Sequence, residues 1–296
     1  MNRVFTFSGL ILFCLVLMAC STNNEAIALD WKIADGEIVA YRTAMDPVET
    51  STFTLNFDEI FSTSGIPDSI KQQFNNLSLP DTTDYISLLE RNAHNIITVK
   101  VILDKVSPKV NAPDDELSQG LNQMVQNMVG TVLIRGELIP EGSIASFYLD
   151  RRQRNLLAIF FELPTQAVRV GDKWALETNC IEMGSGFAAE KAERKNQVEF
   201  SALSTTPDGK KIAILDYLIV ESVEGNFYGA TSTEGTHASM TCSFVGKGQF
   251  LIDEGRWNQL NIEFAINSTY LTIANDIQHL ALTPLAEIPQ QYIDMQ

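Results

Sequence analysis

From Thr131 to Asn267 one pattern recurs: short runs with apolar residues at alternate positions, separated by turns rich in Gly, Pro and Asp. Period-two alternation puts every apolar side chain of a run on one face of a strand, and only a sheet can bury such a face. The runs are Thr131–Ile139, Ile144–Asp150, Asn155–Glu162, Lys173–Met183, Gln197–Thr206, Lys211–Glu221, Phe244–Ile252 and Trp257–Asn267. The turns Pro140-Glu141-Gly142, Pro207-Asp208-Gly209 and Asp253-Glu254-Gly255 are short enough to make neighbouring strands antiparallel. Upstream, Glu37–Ala44, Ser51–Phe61 and Ile96–Val106 also read as strands. The expected fold is mainly β (α+β), an antiparallel curved sheet or half-barrel with a few helices. Leu156 to Phe161 and Ile212 to Val220 are apolar on both faces, so each is either central in the sheet or lines a cavity.

Three stretches break this period. Ile66, Ile70, Phe74 and Leu77 follow helical spacing around Pro67-Asp68, and Tyr85, Leu88 and Leu89 follow Pro80-Asp81. Asp114-Asp115-Glu116 places acids on the first turn of a third helix, where the macrodipole favours them. Its apolar stripe is Leu117, Leu121, Met124, Val125 and Met128, and Gly130 ends it. The stripe either packs on a sheet as core or forms an adaptable lid over an apolar cavity, with Leu117, Leu121, Met124 and Met128 facing the ligand.

The N-terminus carries a different signal. Arg3 precedes a charge-free apolar run from Val4 to Ala19, short for a membrane span but right for a secretory leader. The run ends in Leu17-Met18-Ala19-Cys20, which resembles the lipobox of bacterial lipoproteins. That resemblance implies cleavage after Ala19 and a diacylglyceryl thioether with an acylated amine on Cys20. Several acyl chains give durable membrane anchoring. Residues 1–19 are then the signal peptide and residues 20–30 a polar, flexible lipidated tether. A β-rich domain over 31–283 and a loosely attached tail over 284–296 complete the chain. Ser21 stands where an Asp would imply inner-membrane retention in that family. The resemblance therefore places the anchor in the outer membrane of the cell envelope, facing the periplasm.

Removing the leader takes away Arg3 and no acid, so 20 basic against 37 acidic residues leave a net charge of −17. That balance argues against nucleic acid and against electrostatic adhesion to anionic lipid. Only Cys180 and Cys242 remain as thiols, each in phase with apolar neighbours on a run read as a strand. In an oxidising compartment they are either a disulfide or two buried thiols. Closing a loop of about 63 residues contributes roughly 4 kcal/mol on the chain-entropy account.

One internal segment is recognisable. Pro164-Thr165-Gln166-Ala167-Val168-Arg169-Val170-Gly171-Asp172-Lys173-Trp174 resembles the P-x-x-x-V-x-V-G-D-x-W stretch of a family of β-rich bacterial envelope lipoproteins without assigned activity. The resemblance implies an antiparallel β domain in the envelope and no catalytic residues. Separately, Arg135-Gly136-Glu137-Leu138-Ile139 before Glu141-Gly142 echoes Lys247-Gly248-Gln249-Phe250-Leu251 before Glu254-Gly255. Two pseudo-repeated halves, 31–165 and 166–283, account for the echo, and so does ordinary hairpin similarity.

Catalytic signatures are scarce. His94, His237 and His279 have no metal-spaced partners, so no metal site or cofactor is expected. Gly184-Ser185-Gly186 is not a nucleophile elbow. Trp31, Trp174 and Trp257 are the residues that could stack on sugars, though Trp174 and Trp257 follow turns on strands and are expected to be buried. Three functions fit: a non-enzymatic envelope module with a protein partner, a carrier of a hydrophobic ligand in a β-sheet cavity, or a hydrolase of envelope glycan or peptide. A large cavity selects the second, and two convergent carboxylates in an open cleft select the third.

Overall fold

The alternating runs pair into one open antiparallel sheet. The computed structural model describes residues 25–48, 52–55, 82–107, 116–148, 151–181, 187–228, 235–269 and 272–293. Its strands are β1 (Ile38–Pro47), β2 (Thr52–Leu55), β3 (Thr82–Arg91), β4 (Ile97–Ser107), β5 (Val132–Leu138) and β6 (Ile144–Tyr148). They continue with β7 (Lys173–Trp174), β8 (Phe187–Thr205), β9 (Lys211–Phe227), β10 (Thr236–Leu251), β11 (Arg256–Ser268) and β12 (Thr272–Pro284). The helices are α1 (Glu116–Met128), α2 (Arg151–Phe161) and the short α3 (Gln290–Ile293).

Across the sheet the order is β6-β5-β4-β3-β1-β12-β11-β10-β9-β8-β7, with β2 added on β12. The sheet is curved and unclosed, a half-barrel. Its centre is a seam between the first and last strands: Tyr41 pairs with Pro284 and Met45 with Leu280. The segments 31–165 and 166–283 therefore share one sheet, and residues of both enter one core. The echoed hairpins are the β5–β6 and β10–β11 turns, with Gly142 and Gly255 at φ +85° and +58°.

The concave face carries the main core, including Val99, Leu138, Phe200, Leu215, Ile219 and Leu260. An N-terminal strap crosses one end of the trough. Ile27 bridges Val168, the Trp31 N–H donates to the Pro140 carbonyl and the Lys32 N–H to that of Gly255. Leu29, Trp31 and Ile33 alternate inward and are buried. A Cβ on Gly255 would lie 2.4 Å from Asp30 O and Lys32 N, so only glycine admits the strap there. The tether expected through residue 30 thus gives way to fixed structure by Ile27.

Several other expectations change. Tyr85, Leu88 and Leu89 lie on strand β3, and Asn155–Glu162 is mostly helix α2. Among the described residues of the run Lys173–Met183, only Lys173 and Trp174 pair, while 175–181 runs without regular structure. The expected loose tail is docked: Leu285 N–H donates to Ala40 O, and Tyr292 is buried on the convex face with Ile86, Leu88 and Ile102. Its hydroxyl bonds the Asp104 carboxylate. The helix read around Pro67-Asp68 and the lipidation residue Cys20 lie outside the described residues.

Candidate functional site

The described side chains do not fill the concave face along its whole length. At the strapped end an aromatic cluster packs solidly: Trp31 meets Phe250 edge-to-face at 5.6 Å, and Phe250 meets Trp257 at 5.2 Å. Toward the other end, where β1 reaches Met45 and β3 begins, a partly open cavity of about 410 Å³ lies between the sheet and α2. Leu156, Leu157, Phe160 and Phe161 form its roof. Val101, Leu133, Ile134, Phe244, Phe264 and Leu280 contribute floor and walls, and Phe244 stacks on Phe264 at 4.7 Å. Among the described lining residues none is charged, and the polar groups are Thr43, Tyr85 and Ser87. These three lie together, because Thr43 pairs with Tyr85, and Tyr41, two residues away on the same face, pairs with Ser87. Burial pushes the Tyr85 phenol above its ordinary pKa, so it stays a neutral donor.

The roof helix is held from several sides. A helix end leaves its last carbonyls without partners in the helix. Two indoles supply them here: Trp31 Nε1 donates to Phe161 O at 3.0 Å and Trp257 Nε1 to Phe160 O at 2.7 Å. Trp31 and Trp257 are thus buried braces for the roof, not a sugar platform. Beneath it, a Cβ on Gly136 would lie 2.4 Å from Leu157 Cδ1, so glycine lets α2 approach β5. Near its start, Asn155 and Asn179 exchange side-chain and backbone hydrogen bonds at 2.7 and 2.8 Å, and Arg154 pairs with Glu177.

The expected lid occupies another place. α1 is fixed to the end of β4 by Gln126 Nε2 to Val106 O and by Gly130 N–H to Leu103 O. Met124 and Met128 on it are 55% and 40% exposed and do not line the cavity. The side chains of Leu117 and Leu121 lie outside the described residues. The roof is instead the run Leu156–Phe161, read as a strand because a helix apolar on all sides shows no helical period. That such a run could line a cavity was legible.

Cys180 and Cys242 are free thiols placed around Glu221. Glu221 pairs across the sheet with Cys242 and accepts the Cys180 and Ile181 N–H groups at 2.7 and 3.2 Å. Arg194 Nε lies 3.1 Å from the same carboxylate. The segment Pro164 to Trp174 is a local staple: Gly171 sits at φ +96°, its N–H donates to Phe200 O, and Phe200 N–H donates to Asp172 O.

Outside the cavity, a polar groove of about 520 Å³ includes Glu162, Asp172, Glu177 and Arg154. Burial raises the Glu162 carboxyl to about 6 against the pull of the Glu177 N–H and Arg154. His94, His237 and His279 are exposed. No group of three or more metal-ligating side chains occurs among the described residues. No helix among them is long and apolar enough to cross a membrane. Comparison with known protein families, curated proteins and solved structures found no match.

Proposed function

We propose that this chain is a non-enzymatic, lipid-anchored envelope protein that binds one apolar ligand, an acyl chain or a molecule of similar shape, between α2 and the sheet. The observation that carries this reading is the cavity of about 410 Å³ with an apolar, uncharged lining. Its size falls within the roughly 300–1,000 Å³ of small-molecule sites. Thr43, Tyr85 and Ser87 supply neutral hydrogen-bonding groups for a carbonyl or ester, and no described lining residue supplies a counter-charge for an anion. The anchor at Cys20 rests on Leu17-Met18-Ala19-Cys20 and would hold the site at the periplasmic face of the outer membrane. A fluorescent acyl probe tests the reading by titration. Saturable binding that Val101→Phe weakens roughly tenfold or more, by filling the floor, supports it. Equal affinity in that variant, with its fold intact by circular dichroism, counts against it.

The polar groove favours a second reading, hydrolysis of an envelope glycan or peptide. Glu162 has the raised pKa of a general acid, with Glu177 nearby. Against it, Glu162 already accepts the Glu177 N–H and Glu177 is paired with Arg154. Release of reducing ends or free amines from envelope glycan or peptide, lost in Glu162→Gln, would favour this reading.

A further inference from the structure

Segment 175–181 has no strand partners of its own, yet side chains from three elements hold it. Asn196 on β8 accepts the Leu176 N–H and donates to the Leu176 carbonyl. Arg194 on β8 donates to Thr178 O, and Asn155 on α2 exchanges two hydrogen bonds with Asn179. Glu221 on β9 then receives the N–H groups of Cys180 and Ile181. The segment is therefore the link between the near end of the roof helix and the sheet. Cys180 follows Asn179 directly. Cys242, its neighbour across this link, stands two residues before Phe244 in the cavity wall.

We propose that Cys180 and Cys242 are a redox pair whose disulfide fastens this link and locks α2 over the cavity, while in the reduced pair the link is held by its hydrogen bonds alone. The placement rests on Glu221, which pairs across the sheet with Cys242 and holds the Cys180 backbone, and on packing of Cys180 against the core that contains Cys242. The interaction of the two thiols lowers the pKa of Cys180 and, with burial, raises that of Cys242. Cys180 is half-buried, whereas Cys242 is buried. That asymmetry sets the order of attack.

The oxidant is a disulfide, either a small molecule or an oxidised dithiol protein. The Cys180 thiolate attacks one of its sulfurs, forming a mixed disulfide and expelling a thiolate. Cys242 loses its proton and attacks Cys180 Sγ, expelling the second thiolate. Two protein thiols are oxidised, one external disulfide is reduced to two thiols, and the two protons released balance the two thiolates.

The test uses the full chain in detergent, reduced with dithiothreitol or treated with oxidised glutathione. The expected result is a 180–242 linked peptide in a non-reducing map. With it, amide exchange in α2 should slow by roughly tenfold, an effect absent from Cys180→Ser. A glutathione adduct on Cys180 without the link, or no reaction, overturns the pairing. A complete link with unchanged α2 exchange overturns the lock. The effect on ligand exchange rests on the apolar-ligand reading: a bound acyl probe should leave the oxidised protein more slowly. If no probe binds in either state, that reading fails while the exchange experiment still decides the lock.

Discussion

Glu162 follows the last turn of α2 with a carboxyl partly withdrawn from water. Its folded pKa is about 6 against an ordinary 4.5. Because the folded state holds this proton more tightly than the unfolded chain, the contribution is favourable at low pH and fades as pH rises from 4.5 through 6. The side chain is partly exposed, so the effect is discounted to about 1 kcal/mol. Glu162→Gln should flatten the stability profile across that window and stabilise the fold at neutral pH, as read by urea titration at several pH values. An unchanged slope would mean that water reaches the carboxylate. The braces at the same helix end make a second prediction. Trp257→Phe removes the donor to Phe160 O. It should cost about 2 kcal/mol, combining a lost buried hydrogen bond with lost packing. Urea unfolding checks this, and a change under about 0.5 kcal/mol would show that the carbonyl finds water instead.

At the scale of elements, the two longer helices exchange the roles that their patterns imply. α1 has acids on its first turn, a spaced apolar stripe and a terminal glycine, so it was readable as a helix, yet Met124 and Met128 face solvent. α2 has the contiguous run Leu156–Phe161, which hides its period, and it forms the roof. Double substitution Met124→Glu/Met128→Glu should therefore leave acyl-probe affinity within about twofold, whereas Val101→Phe should not. A large loss in the first variant would restore α1 as the lid. Strands were legible where one face met water, as in β10 and β11, whose turn at Asp253-Glu254-Gly255 forms as read. The stretch at Tyr85–Leu89 shows no strand period in the sequence because β3 is buried on both faces: Ile86 and Leu88 join the convex cluster while Tyr85 and Leu89 face the trough. Such a strand loses the alternation that identifies it. The sequence leaves Cys180 and Cys242 as either a disulfide or two buried thiols, since spacing along the chain says nothing about a contact made through Glu221.

At the scale of the molecule, the seam between β1 and β12 makes the sheet depend on both ends of the chain. The docked segment after Pro284 reinforces that seam, with Leu285 bonded to Ala40 and Tyr292 buried beside Ile86. Removing residues 285–296 should lower stability by about 2–4 kcal/mol and expose the convex cluster to a hydrophobic dye. Stability unchanged by the truncation would return the segment to the status of a loose tail. The half-barrel was readable from alternation and turns, because these are local. The cavity was not, because it arises where α2 faces residues of β1, β3, β4, β5, β10, β11 and β12, far apart in the chain, and the described side chains leave that end of the trough unfilled. The proposed occupant of this space is an apolar molecule. Native mass spectrometry of the chain from Glu25 onward, purified gently from the cell envelope, tests it most directly. The expected result is a bound small apolar mass that is lost on denaturation and fails to co-purify with Val101→Phe. A bare protein mass that also takes up no acyl chain when one is supplied in excess would contradict it.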